Sequence, residues 1–167
     1  MGTAEFERAQ IQAVLGTKFP GMRPGIGLHL MSQTPASRVI FDSAVRPAMS
    51  KSGLDVYRVE LAFDSSSPLS DVASWVNRAE VITADLSDWN GDVAYVLGFC
   101  HATGRLPVTI ARRDVELPFH LAELRCVVYE PDKNGMHELQ IELARVLRTF
   151  VMSSRAGGKG EEYFDVT

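Results

Sequence analysis

Asp85 closes a short apolar run, Val81-Ile82-Thr83-Ala84, and the chain then turns through Asn90-Gly91-Asp92 into a second apolar stretch. A carboxylate at the end of a covered strand can accept hydrogen bonds from a ligand's hydroxyl groups. The competing reading is local: such an aspartate can bond the backbone of the following loop and close a turn. Asn90 offers a side-chain oxygen to cap the next helix. The free N–H groups of that helix start would welcome an anion, but Asp92 opposes a phosphate there, so a sugar or base fits better. Arg58 and Glu60, two apart on one strand, point to the same side, as a ligand clamp or as an ion pair on a solvated face. His29, His101 and His120 each stand alone, and no zinc spacing, phosphate loop or G-x-G-x-x-G fingerprint is present.

The elements that must position these residues follow from spacing. Ile26 to Met31 reads as a first strand, with Ser32 and Gln33 just beyond it. A helix from about Ser37 to Lys51 ends at a C-cap, Gly53. Asp55 to Leu61 alternates as a second strand. Ser67-Pro68 starts a helix with a hydroxyl cap and a proline in the first turn. Val81 to Ala84 forms a third strand covered on both faces, and a helix runs from about Gly91 to Thr103. Leu106 to Ala111 and Leu124 to Tyr129 are further strands, and Asn134 to Met152 a long final helix. Alternating strands and helices predict a three-layer α/β sandwich, with a mostly parallel five-stranded sheet and helices on both faces. In such sheets ligands gather beyond the carboxyl ends of the strands. That rule singles out Ser32 and Gln33, Glu60, Asp85 to Asp92, and Arg112 to Asp114. Residues 1–25 read as an N-terminal helix (about 4–16) and linker, 26–152 as the domain, and 153–167 as a flexible tail that still holds Tyr163 and Phe164.

Composition narrows the function classes. The chain has 167 residues, 46% of them hydrophobic and 23% charged, an ordinary globular balance for one domain. A net charge of −4 gives no basic footprint for nucleic acid. No apolar run is long enough for a membrane span, and the opening Thr3-Ala4-Glu5-Phe6-Glu7-Arg8 is unlike a secretory signal. Cys100 and Cys126 sit in apolar segments and read as buried reduced thiols, which suits a cytoplasmic location.

The stretch from Ala79 to Ala102, AEVITADLSDWNGDVAYVLGFCHA, resembles the core motif of the nucleoside deoxyribosyltransferase-like domains, relatives of bacterial TIR-like domains. Their motif looks like A-x-x-V-I-A-D-L-T-x-x-N-x-N-V-x-Y-E-L-G-x-A-H-A. The segment Phe41 to Ala48, followed by Gly53 and Arg58-Val59-Glu60, is similar to the family's F-x-x-x-I-x-P-A … G … R-x-D. Leu117-Pro118-Phe119-His120-Leu121, then Arg125 and Tyr129, is similar to its P-F-D-L … R … Y. The resemblance spans about residues 26 to 130 and implies a flavodoxin- or Rossmann-like domain acting on the N-glycosidic bond of nucleosides, nucleotides or NAD. The family's working glutamate falls on Val96, which has no charge and no nucleophile. Losing such a group typically costs several kcal/mol of barrier, on the order of a thousandfold in rate.

The primary expectation is a domain that binds a nucleoside or nucleotide with little or altered bond chemistry. Its expected ligand contacts are Ser32, Gln33, Arg58, Asn90, Tyr95, Val96 and Phe119. The alternative is an N-glycosidase or deoxyribosyltransferase in which Glu60, Asp85 or Asp92 replaces the missing glutamate. A third reading is an assembly module, with the final helix and the tail Tyr163-Phe164-Asp165 docking on a sister chain. A homo-oligomer is expected, with no cofactor, metal, nucleic acid or membrane as partner.

Overall fold

The computed structural model describes residues 20–58, 68–88, 90–117, 121 and 126–156. The expected N-terminal helix, Glu60, Phe119 and the aromatic tail lie outside the described residues.

Five strands, β1 (Ile26–Leu30), β2 (Asp55–Arg58), β3 (Val81–Asp85), β4 (Val108–Arg112) and β5 (Cys126–Tyr129), form one sheet in the order β2-β1-β3-β4-β5. Every pairing is parallel, so the sheet is wholly rather than mostly parallel. The chain reverses its direction of travel across the sheet between β1 and β3, which makes their carboxyl ends the topological switch point. β3 lies at the centre and is buried at all five positions, as its continuous apolar run requires.

Between β1 and β2 run α1 (Pro35–Ile40), a π-helical turn (Phe41–Val45) and α2 (Arg46–Lys51). The π turn interrupts what the spacing reads as one regular helix. Helical spacing alone does not reveal it, because Phe41, Ala44 and Val45 are apolar in either register. Thr34 caps α1, its hydroxyl oxygen accepting the Ser37 N–H at 3.1 Å. Gly53 takes φ +74° after α2, the left-handed conformation that ends helices and favours glycine. Further helices are α3 (Pro68–Arg78), α4 (Gly91–Ala102) and α5 (Lys133–Arg155).

Two apolar layers sandwich the sheet. One joins the π turn and α2 to α5 through Phe41, Val45, Met49, Leu139, Leu143 and Leu147. The other joins α3 and α4 to the opposite face through Val76, Ile82, Ala84, Val93, Val96 and Leu97. α5 continues past residue 152, where the tail was expected to begin, to Arg155. The Arg155 guanidinium grips Glu80 there, Nε to Oε1 at 2.9 Å and Nη2 to Oε2 at 3.0 Å. Among the described residues no helix is long and apolar enough to cross a membrane.

Candidate functional site

The loops at the switch point are tied together by a polar knot. Asn90 caps α4, its Oδ1 accepting the Val93 N–H at 2.9 Å, while its Nδ2 donates to Ser32 Oγ at 2.7 Å. Ser32, buried just past β1, donates in turn to the backbone carbonyl of Asp88. The Asp88 carboxylate accepts from Thr34 Oγ1 at 2.5 Å and Ser37 Oγ at 3.1 Å, so one side chain after β3 holds the turn after β1. Arg112, at the end of β4, sets Nη1 3.6 Å from Asp88 Oδ1 and Nε 3.0 Å from Asp114 Oδ1. Its backbone N–H reaches Ser87 Oγ at 3.0 Å, and that hydroxyl shares a 2.9 Å hydrogen bond with Tyr129 OH.

Asp85 sits beneath this turn with 1% exposure. Its Oδ1 accepts the Ser87 N–H at 2.9 Å, the turn-closing bond that the local reading anticipates. Its Oδ2 is buried and, among the described residues, has no hydrogen-bond partner. Burial pushes the carboxyl pKa up, and the neighbouring Asp88 charge adds to the rise, while the Ser87 bonds and Arg112 oppose it. Burial and the Asp85 charge also hold the Tyr129 phenol well above its ordinary range.

A second buried group shares that face of the sheet. His29 bonds Thr83 Oγ1 through Nδ1 at 2.7 Å and stacks on Phe41 with centroids 5.4 Å apart. Among the described residues its Nε2 has no partner. Burial and the positive charge of Arg58 lower its pKa to about 3, so the ring is neutral. Arg58 itself ends β2 with its guanidinium 5.1 Å from the Phe41 ring centroid.

The expected site residues therefore separate. Ser32, Asp85 and Asn90 converge at the carboxyl edge, with Gln33 exposed beside them. Asp92 is exposed on the first turn of α4, and Tyr95 points outward at 54% exposure. Val96 is 1% exposed and packs in the α3/α4 apolar layer with Val93, Leu97 and Cys100. Strand alternation puts Val81, Thr83 and Asp85 on the other face, so Val96 and Asp85 lie on opposite sides of the sheet. Ser87, Asp88 and Arg112 fall within the spans that the strand-end rule singles out, though without an assigned role, whereas Thr34 and Ser37 are passed over; their only signal is the Thr34-x-x-Ser37 cap spacing. Tyr129 enters the sequence reading only through the resemblance.

An open cleft of about 540 Å3 lies at the opposite, amino-terminal edge of the sheet, lined by Met22, Pro24, Gly25, Glu80, Ser154 and Arg155. Its charged side chains, Glu80 and Arg155, are engaged with one another. Besides Arg155, Glu80 accepts the Gly25 N–H at 2.5 Å. Burial alone would raise its pKa, but Arg155 and the Gly25 N–H outweigh it and the net shift is downward. Among the described residues no cluster of three or more His, Cys, Asp or Glu side chains could hold a metal.

Fold and site together define an open, doubly wound α/β domain with a cluster of hydrogen-bonded polar side chains at its switch point. No protein-family model matches the chain, and no curated protein matches it either.

Proposed function

We propose that this chain is a nucleoside- or nucleotide-binding domain that holds its ligand at the carboxyl edge of β1 and β3 without cleaving it. Asp85 Oδ2 is the observation that carries the reading. A buried carboxylate oxygen with no donor costs roughly 1–3 kcal/mol or more, and a ligand hydroxyl or ring N–H would recover that energy. The surrounding groups suit a sugar or base more than a bare anion, because among the described residues Asp85, Asp88 and Asp92 stand against the guanidinium of Arg112. Oδ2 is buried, so binding requires the surrounding loops to shift, and Asp88, which holds the turn after β1 through Thr34 and Ser37, is the bonding that must give. The absence of cleavage follows from Val96: it has no group for covalent work and faces apolar core rather than the crevice.

A thermal-shift panel of nucleosides and their 5′-monophosphates, joined to a base-release assay, tests the proposal. A ligand at a hundred times its dissociation constant adds about 2.7 kcal/mol of stability, enough for an upward shift of several degrees. That shift is expected in wild type, without release of free base, and is expected to vanish in Asp85→Ala. No shift with any compound contradicts binding, and free base contradicts the non-cleaving part.

A further inference from the structure

His29 and Asp85 are neighbours in the sheet. β1 pairs with β3 so that His29 stands opposite Thr83, and Asp85, two residues further on, shares their face. Sheet spacing puts the Cα atoms of His29 and Asp85 about 8 Å apart. Both side chains are buried, and among the described residues His29 Nε2 and Asp85 Oδ2 each lack a hydrogen-bond partner. Thr83 settles which kind of partner the imidazole needs. Its hydroxyl donates to the Leu28 carbonyl at 3.4 Å, so Nδ1 supplies the proton of the 2.7 Å bond between His29 and Thr83. The ring is neutral, which leaves Nε2 a bare acceptor. Two buried acceptors on adjacent strands are therefore short of a donor.

The cover over His29 is tied to the cover over Asp85. Phe41, which stacks on the imidazole, is the first residue of the π turn, a rare helical geometry that recurs at functional sites. That turn continues directly from α1, whose first turn is held by Asp88 through Thr34 and Ser37. The bonding that must give for a ligand to reach Asp85 thus also anchors the segment lying on His29.

We infer that the π turn covers a base-binding subsite, where a base lies against Phe41 and donates one hydrogen bond to Asp85 Oδ2 and a second to His29 Nε2. The inference rests on the proposed nucleoside-binding function and narrows its ligand to a base with two adjacent N–H donors on one edge. Guanine has that edge in its ring N1–H and 2-amino group. Adenine and cytosine set an amino group beside a bare ring nitrogen, and hypoxanthine and uracil offer a single ring N–H. Each of these leaves one buried acceptor without a donor.

Calorimetric titration of the full chain with guanosine, inosine, adenosine and cytidine tests the subsite. Guanosine is expected to bind tightest, with inosine about tenfold or more weaker for want of the 2-amino group. His29→Leu/Thr83→Val removes both ends of one bond together with the orphaned acceptor. It is expected to keep or raise the melting temperature while erasing the preference for guanosine over inosine. A histidine with a purely structural role would give the reverse, a lower melting temperature and an unchanged preference. Wild type carrying 15N-histidine supplies a readout that needs no variant: the His29 Nε2 resonance should move on adding guanosine. Equal binding of guanosine and inosine, tighter binding of adenosine or cytidine, an unmoved Nε2 resonance, or a preference that survives loss of the imidazole overturns the subsite and leaves nucleoside binding standing. No binding of any nucleoside overturns both.

Discussion

Asp85 sits in a conflict that fixes how it responds to pH. Its folded-state pKa lies above the unfolded value, so between the two the native protein binds more protons than the unfolded chain, and stability falls as pH rises through that window. Asp85→Asn removes the charge and keeps an acceptor for the Ser87 N–H. Urea unfolding of both proteins from pH 4 to pH 8 is therefore expected to show the variant gaining stability on wild type as pH rises, while losing ligand affinity. A constant difference across the range would mean that the carboxyl titrates normally. Val96 leads to a second expectation. Glutamate at that position would restore the resembled motif, but in this fold it would bury a carboxylate among Val93, Leu97 and Cys100 on the face opposite Asp85. Val96→Glu is expected to cost about 3 kcal/mol or more and to release no base. A stable variant that gains base-release activity would show that Val96 opens to the crevice.

The elements at the switch point act by joining one another. Asn90 is both the cap of α4 and the donor to Ser32, so Asn90→Ala should cost about 1 kcal/mol for the cap alone, and more for the freed loop. Amide exchange at Val93 and in the turn after β1 should quicken together; exchange quickened at Val93 alone would mean that the two loops are not coupled. This element-level organisation was largely legible in the sequence. The strand run ending in Asp85, the cap at Asn90 and the break at Gly53 each rest on local chemistry, and each stands where spacing puts it. The Asp88 knot was not legible, because it joins residues more than fifty positions apart, and only the parallel register of β1 with β3 makes them neighbours. The outward turn of Tyr95 and the inward turn of Val96 follow from the helix phase. Motif matching ignores phase, so it assigned both to the crevice. The end of α5 was misplaced for a similar reason: Glu80, the partner that extends the helix to Arg155, is remote in sequence.

At the scale of the whole molecule, the parallel sheet divides the polar chemistry between two edges that behave differently. At the amino-terminal edge, Glu80, Arg155 and Gly25 satisfy one another around an open cleft. At the carboxyl edge, a buried carboxylate oxygen lacks a partner among the described residues, beside loops that Asp88 ties together. Ligand binding belongs to the second edge on this account, and its location is directly measurable. Titrating the nucleoside that gives the largest thermal shift into 15N-labelled protein should perturb the amides of Ser32, Thr34, Ser87, Asp88 and Arg112 and leave Gly25, Glu80 and Arg155 unmoved. Perturbations confined to the amino-terminal edge, or none at a saturating concentration, would contradict it.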